Sequence, residues 1–431
     1  MKSKEHIMYN ITKNEVNHIP AVIINTDKFK TITIQLQFRS RLERARVTKR
    51  NLLSRMMVKR TMRHQSEAEL LNHLAHYYGA HLTTNAGRKG QDHIVTFSME
   101  FVNDKFIREN LDIPHEMCRV LEDMLRTPFN YDKESEAFFE REKRLYKNRL
   151  KSMKDNRAQA SFQAMVDTMF SDEDYKYLSH GVLEDVDGIT LQDLKEEHAE
   201  MMAGDDLVML SAGSVEESAM LDNLSLIHAR EQTKEVPHQP YAYRGVREVK
   251  RASDTQRIEQ AKLNMGFRAE LDSPESHMAF NVLNQMFGGT ASSYLFRNIR
   301  EKESLAYQIS SQVDMRNGYM FVMGGVDAEN VEKAEAGILE ELDRFRKGDF
   351  EDAFMDEIKG MMRVNRKEVM DKPKGLIALE YNHLLKKPDT PSWETQLERV
   401  DRELIIEISN RVHLDTVYVL TRSDEDADTG V

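Results

Sequence analysis

The sequence predicts an α+β fold of two related domains, each an antiparallel sheet packed with helices. Three observations carry that reading. Stretches of period-two apolar alternation are followed by stretches of helical period. The order strand, helices, strands, long helices runs through the first half and starts again in the second. Between the halves, a segment holding Pro237 and Pro240 loses all periodicity and reads as a linker. The boundaries are then 1–230 for the first domain, 231–245 for the linker and 246–431 for the second.

In the first half, Ile32, Ile34, Leu36 and Phe38 alternate with Thr33, Gln35 and Gln37, the pattern of a half-buried strand over 31–38. A helix is expected over 52–62. A second opens with Ser66 and Glu69 at capping-box spacing, carries Leu70, Leu71, Leu74 and Tyr78, and stops at Gly79. Val95, Phe97 and Met99 alternate in another strand. Pro114 opens a helix with the stripe Met117, Val120, Leu121, Met124 and Leu125, which runs to Pro128. Residues 133–170 are helical and highly charged, and 207–210 suit a short strand.

The second half repeats the order. Ala261, Leu263, Met265 and Phe267 alternate, and Ser273-Pro274 caps a helix with the stripe Met278, Val282, Leu283 and Met286, ended by Gly288-Gly289. Tyr307, Ile309, Ser311 and Val313 then alternate, as do Tyr319, Phe321 and Met323. Long charged helices are expected over 328–346 and 350–369.

Composition narrows the function. With 431 residues, 40% apolar and 31% charged, the chain can bury cores and stay in solution. A formal charge of −12 argues against a nucleic-acid partner. Apart from a short acidic end at 424–428, the acid is spread through helices. The single cysteine, Cys118, sits among apolar residues and reads as a buried thiol; no internal disulfide or cysteine-based zinc site can form. The opening residues have no apolar core for a secretory signal, and no apolar run reaches the roughly 20 residues of a membrane span. A cytoplasmic protein without a membrane partner is expected.

One segment is specific: Gly288-Gly289-Thr290-Ala291-Ser292-Ser293-Tyr294-Leu295-Phe296-Arg297-Asn298-Ile299-Arg300-Glu301-Lys302-Glu303-Ser304-Leu305-Ala306-Tyr307. It closely resembles the C-terminal domain signature of the insulinase-type, or pitrilysin (M16), zinc metallopeptidases. With the domain order on either side, the resemblance covers nearly the whole chain and implies a LuxS/MPP-like metallopeptidase fold. It also implies that Arg300 and Tyr307 hold a bound peptide. The chemistry suits them: a guanidinium can donate to a peptide carbonyl, and a phenol can do the same or steady an oxyanion. The plainer alternative makes Arg300 an ion-pair partner of Glu301 or Glu303 and Tyr307 a core ring.

Active members of that family carry His-x-x-Glu-His on the first helix after the opening strand, where two histidines at i and i+4 bind zinc and the glutamate polarises water. The matching stretch here is Asn51-Leu52-Leu53-Ser54-Arg55, with Lys59 and Thr61 fitting the motif's usual tail. Asn51 and Arg55 replace the histidines and Ser54 replaces the base. The third family ligand is a glutamate seven residues after another glutamate. Glu142 matches the first of that pair, and the ligand position holds Arg149. No catalytic residue, metal or cofactor is therefore expected. His64, His73, His76 and His81 cluster in sequence, but they read as a polar helix face rather than a substitute zinc site.

The resemblance implies a non-catalytic, substrate-binding subunit that works on peptides beside a zinc-bearing M16 partner. The lead-in Val47-Thr48-Lys49-Arg50, the Tyr78-Gly79-Ala80 turn and Lys89-Gly90 before His93 resemble the YfmF-type chains of Gram-positive bacteria. That branch is associated by name with modification of translation elongation factor P. The alternative is a purely structural scaffold member of the same family, which would have no need of Arg300 and Tyr307.

Overall fold

The computed structural model describes residues 9–109, 111–126, 133–228, 242–386 and 389–422. Residues 231–241 of the expected 231–245 linker, the acidic end over 424–428 and the opening residues lie outside these. The described residues fall into two compact units. One draws on 1–151, 177–238 and 366–386, the other on 152–176, 239–365 and 387–431.

The first unit is built on a sheet of six strands: β1 (Asn10–Val16), β2 (Ile19–Asn25), β3 (Thr31–Arg41), β4 (His81–Lys89), β5 (Asp92–Val102) and β6 (Asp206–Gly213). They lie in the order β1-β2-β6-β3-β5-β4, antiparallel except for the β2–β6 pair. Its helices are α1 (Arg44–Met57), α2 (Glu67–His76), α3 (Ile113–Arg126), α4 (Lys133–Asp155), α6 (Leu191–Gly204), α7 (Glu217–Leu224) and α11 (Pro373–Leu384).

In the second unit, strands β7 (Lys250–Gln256), β8 (Ala261–Ala269), β9 (Ala306–Asp314), β10 (Tyr319–Val326) and β11 (Val412–Arg422) form a sheet in the order β7-β11-β8-β10-β9. Only β7 and β11 run parallel. Against it pack α5 (Arg157–Met169), α8 (Pro274–Asn284), α9 (Val331–Arg346), α10 (Asp352–Met370), α12 (Trp393–Glu398) and α13 (Arg402–Asn410). The main core joins Leu263, Met265 and Phe267 of β8 to Phe280 and Leu283 of α8 and to Ile338 and Phe345 of α9.

Four expectations need correction. The first helix starts at Arg44 and ends at Met57 instead of spanning 52–62. Its early turns carry no apolar stripe because charge shares the inward face with Val47 and Thr48: half-buried Arg46 meets Glu197 at 2.6 Å and buried Arg50 meets Asp205 at 2.6 Å. The helical stretch 133–170 is two helices broken at Asn156, whose side chain accepts from the Gln159 amide and caps α5. In α2, Leu70 and Leu74 are buried, but Leu71 and Tyr78 stand exposed. The chain leaves that helix through left-handed Tyr78 and Gly79, with φ of 57° and 73°.

The last correction concerns β3, which is buried on both faces, Thr33, Gln35 and Gln37 included. Helix α11 covers this face, with Leu376, Ile377 and Tyr381 packing on Val22, Ile24 and Leu210. Beside α11 the same face opens into a cleft of about 380 Å³ lined by Gln35, Gln37, Thr96 and Ser98. In the second unit, α5 lies over β11 and β8, and Phe170, just past its end, lies 4.8 Å from Tyr319 of β10. No helix among the described residues is long and apolar enough to cross a membrane.

Candidate functional site

On α1, Asn51 is buried and its amide donates to the Val47 carbonyl at 2.9 Å and the Ser179 carbonyl at 2.6 Å. Ser54 turns back on its own helix and donates to the Asn51 carbonyl at 3.1 Å. Arg55 is half-buried, with its guanidinium 5.8 Å from the Tyr146 ring of α4. One turn further along α4, Arg149 is exposed. Neither Arg55 nor Arg149 forms a hydrogen bond or ion pair among the described residues. Burial, and then the Arg149 charge, hold the Arg55 guanidinium below its ordinary pKa.

This donor set does not fit zinc. Asn51 presents its amide N–H groups to carbonyls, and Arg55 and Arg149 have no lone pair to offer and two positive charges to repel a dication. Glu142 remains on α4, but Lys59 and Arg141 engage its carboxylate at 3.0 Å each. The clustered histidines do not converge on a metal. His73 meets Glu116 at 3.0 Å, His64 meets Thr61 at 3.0 Å and His76 meets its own helix carbonyl at Asn72. No group of three or more His, Cys, Asp or Glu among the described residues could hold a metal ion. Cys118 is fully buried, and burial pushes its thiol up to about 12.

Sequence reasoning missed the groups packed around Asn51 on α1. Arg50 is fully buried. Its Nε donates to His93 Nδ1 at 3.1 Å, and Nη1 sits 2.6 Å from Asp205 in a charge contact too poorly aligned for a hydrogen bond. His93 in turn donates from Nε2 to the Ser179 carbonyl at 2.8 Å, which fixes its neutral tautomer. Burial, then the Arg50 charge, push His93 down to about 3. The loop 179–182 is therefore tied to α1 and β5 together. Its Val182 amide donates to Thr48 Oγ1 at 3.0 Å, and Tyr146 donates to the His180 carbonyl. Gly181 has φ of +100°, and a Cβ there would strike the Tyr146 hydroxyl.

In the second unit, α8 widens into a looser turn over Gln285–Gly289. A Cβ on Gly288 would lie 2.6 Å from Ser311 Oγ, and one on Gly289 would lie 2.8 Å from Asn284 Nδ2, so only glycine lets this turn close. The wide helix Leu295–Lys302 follows, and Glu303 and Leu305 donate back to the carbonyls of Asn298 and Ile299. Arg300 is exposed, its guanidinium 4.5 Å from the Phe296 ring, and it forms no ion pair with Glu301 or Glu303.

Tyr307 is not part of the buried alternation expected for β9. On β10, Gly325 pairs with Gln308 and Val326 pairs with Ala306, so Tyr307 is the extra residue of a β-bulge on an edge strand. The bulge turns its ring out to 54% exposure while Ile309 and Ser311 stay buried. Its hydroxyl has no partner among the described residues.

Comparison with known proteins agrees with the fold. Residues 188–362 match the model of the peptidase M16 inactive domain. The chain is 28% identical over 416 residues, 95% of its length and 97% of the relative's, to the probable inactive metalloprotease YmfF of Bacillus subtilis. Along nearly its whole length the chain is similar to proteins of the M16 peptidase family. Both the matched model and this relative are described as inactive. The relative's name reads YmfF, which corrects the label YfmF expected for the branch. Among solved structures, a conserved protein from Enterococcus faecalis superposes with TM-score 0.90 at 25% identity, over 97% of this chain and all of the other. A protease from Helicobacter pylori shares the fold with TM-score 0.79 at 13% identity, over 96% of this chain and 100% of the other.

Proposed function

We propose that this M16 chain is the non-catalytic, substrate-binding subunit of a two-chain zinc peptidase. It binds peptide through Arg300 and Tyr307 while a zinc-bearing M16 partner performs the cleavage. The observation that carries the reading is the bulge at Tyr307. A tyrosine that packed the core would need no bulge, whereas this one is turned out of an edge strand with its hydroxyl free. Arg300, equally exposed, keeps its donors for a ligand. A purely structural scaffold has no use for either group. The work is placed in the cytoplasm, and the substrate is connected with modification of elongation factor P through the family branch. The link to elongation factor P rests on the resemblance alone.

The test mixes the purified chain with its zinc-bearing partner. Peptide hydrolysis should rise well above the partner's own rate. Tyr307→Phe keeps the ring and removes the hydroxyl. If that hydroxyl donates to a carbonyl as charge builds on it, kcat should fall on the order of 10²-fold with little change in KM. Arg300→Ala should weaken turnover while thermal stability stays near wild type. A partner that cleaves equally well alone, or wild-type kinetics from both variants in the assembled pair, would favour the scaffold role.

A further inference from the structure

The lost metal site has acquired unsatisfied donors. Three arginines buried elsewhere in the fold are each neutralised: Arg39 by Asp92 at 3.0 Å and Asp206 at 2.6 Å, Arg50 by Asp205 at 2.6 Å, and Arg268 by Asp415 at 2.6 Å. Arg55 and Arg149 are treated differently. They lie close enough for their like charges to act on each other, no carboxylate is bonded to either, and Arg55 Nε is buried without a hydrogen-bond partner. The nearby carboxylate of Glu142 is already held by Lys59 and Arg141. His180, which feels the charge of both arginines, has its Nε2 buried and unpartnered as well. Unpaired buried donors beside repelling charges cost free energy until an acceptor arrives.

The frame around these groups is fixed. Asn51 and His93 both donate to the Ser179 carbonyl, Thr48 accepts from the Val182 amide, and Tyr146 holds the His180 carbonyl from α4. The loop that carries His180 is thus clamped between α1 and α4, beside Arg55. The exposure of Arg149 leaves the group open to solvent on one side.

We propose that Arg55, Arg149 and His180 form an anion-binding site where active relatives hold zinc, and that it takes a carboxylate: an Asp or Glu side chain or the C-terminus of a peptide. Planar guanidiniums match a carboxylate's two oxygens, and the open side admits a group tethered to a chain. The site lies within the first unit and is independent of Arg300 and Tyr307, so it can be tested on the isolated chain.

Two short peptides, one ending in a free glutamate and one in its neutral glutamine amide, are titrated by calorimetry at constant ionic strength, with inorganic phosphate as a third arm. The acidic peptide should bind at least roughly tenfold tighter than the neutral one, and the Arg55→Met/Arg149→Ala double variant should lose that preference. Because Arg149→Ala alters an exposed residue and relieves repulsion, it should melt higher than wild type in chloride buffer, and added acidic peptide should close that gap. Equal binding of the two peptides, binding of phosphate alone, or a melting temperature for Arg149→Ala at or below wild type without peptide would each overturn the proposal.

Discussion

Protonation of His93 should set a measurable part of this protein's acid sensitivity. The imidazole is fully buried, accepts from Arg50 Nε and donates to the Ser179 carbonyl. A second proton would displace the Arg50 contact and bring a charge beside a guanidinium, and the folded pKa accordingly sits at about 3. An unfolded histidine titrates near 6.5. The folded value lies below the unfolded one, so the unfolded chain takes up the proton first. This contribution to stability is complete above the unfolded value and is lost as pH falls from about 6.5 towards the folded value. Between about pH 7.5 and about pH 5.5 the loss is about 1.4 kcal/mol. In His93→Gln the side-chain carbonyl can accept from Arg50 and the amide can donate to Ser179, so the frame survives without a titrating group. Urea unfolding of both proteins at the two pH values isolates the difference. His64, His180 and His198 are also held below their ordinary values, chiefly by burial. They contribute equally to both proteins and cancel. An equal loss of stability in wild type and His93→Gln would refute the assignment.

Two further outcomes follow from the same region. Arg50→Met should destabilise the chain by roughly 3–5 kcal/mol in urea unfolding, because Asp205 is left as a buried charge, and adding Asp205→Asn should recover part of that. Chelator treatment should leave the melting temperature unchanged within about 1 °C, since Lys59–Glu142 and the Asn51 tie hold α1 without an ion; a large fall would show a metal contributing to the fold.

Periodicity carried the order of elements because the strands and most helices face one core each. It failed where charge is buried. The first turns of α1 enter the interior as arginines, and no hydrophobic scale marks Arg46 or Arg50 as core until Glu197 and Asp205 are found beside them. It failed again where a distant segment supplies the cover. Gln35 and Gln37 read as solvent-facing because α11, more than three hundred residues later in the chain, is invisible to local pattern. The proposed ligand-holding role of Tyr307 came only through the family signature. Its alternation with Ile309 pointed inward, and the bulge that reverses it depends on pairing with β10. His180 left no signal, because its environment is made by α1, α4 and β5 together.

The residues that the resemblance aligns with a metal motif make specific contacts of their own. An ion at that place would hold α1 against α4. Here Lys59, just past the end of α1, reaches Glu142 on α4 at 3.0 Å, and Arg55 lies over the Tyr146 ring of the same helix. Asn51 gives up a ligand position and gains the Ser179 carbonyl, which ties α1 to the loop before α6. Glutamate at 54 would set a carboxylate on the buried face where Ser54 now bonds to its own helix. The helix–helix link has thus been rebuilt from side chains, and only Arg55 and Arg149 are left over. Residues kept merely for structure would have been paired, as Arg39, Arg50 and Arg268 are. Two nearby guanidiniums with no carboxylate bonded to either are a cost to the fold that an incoming carboxylate would remove.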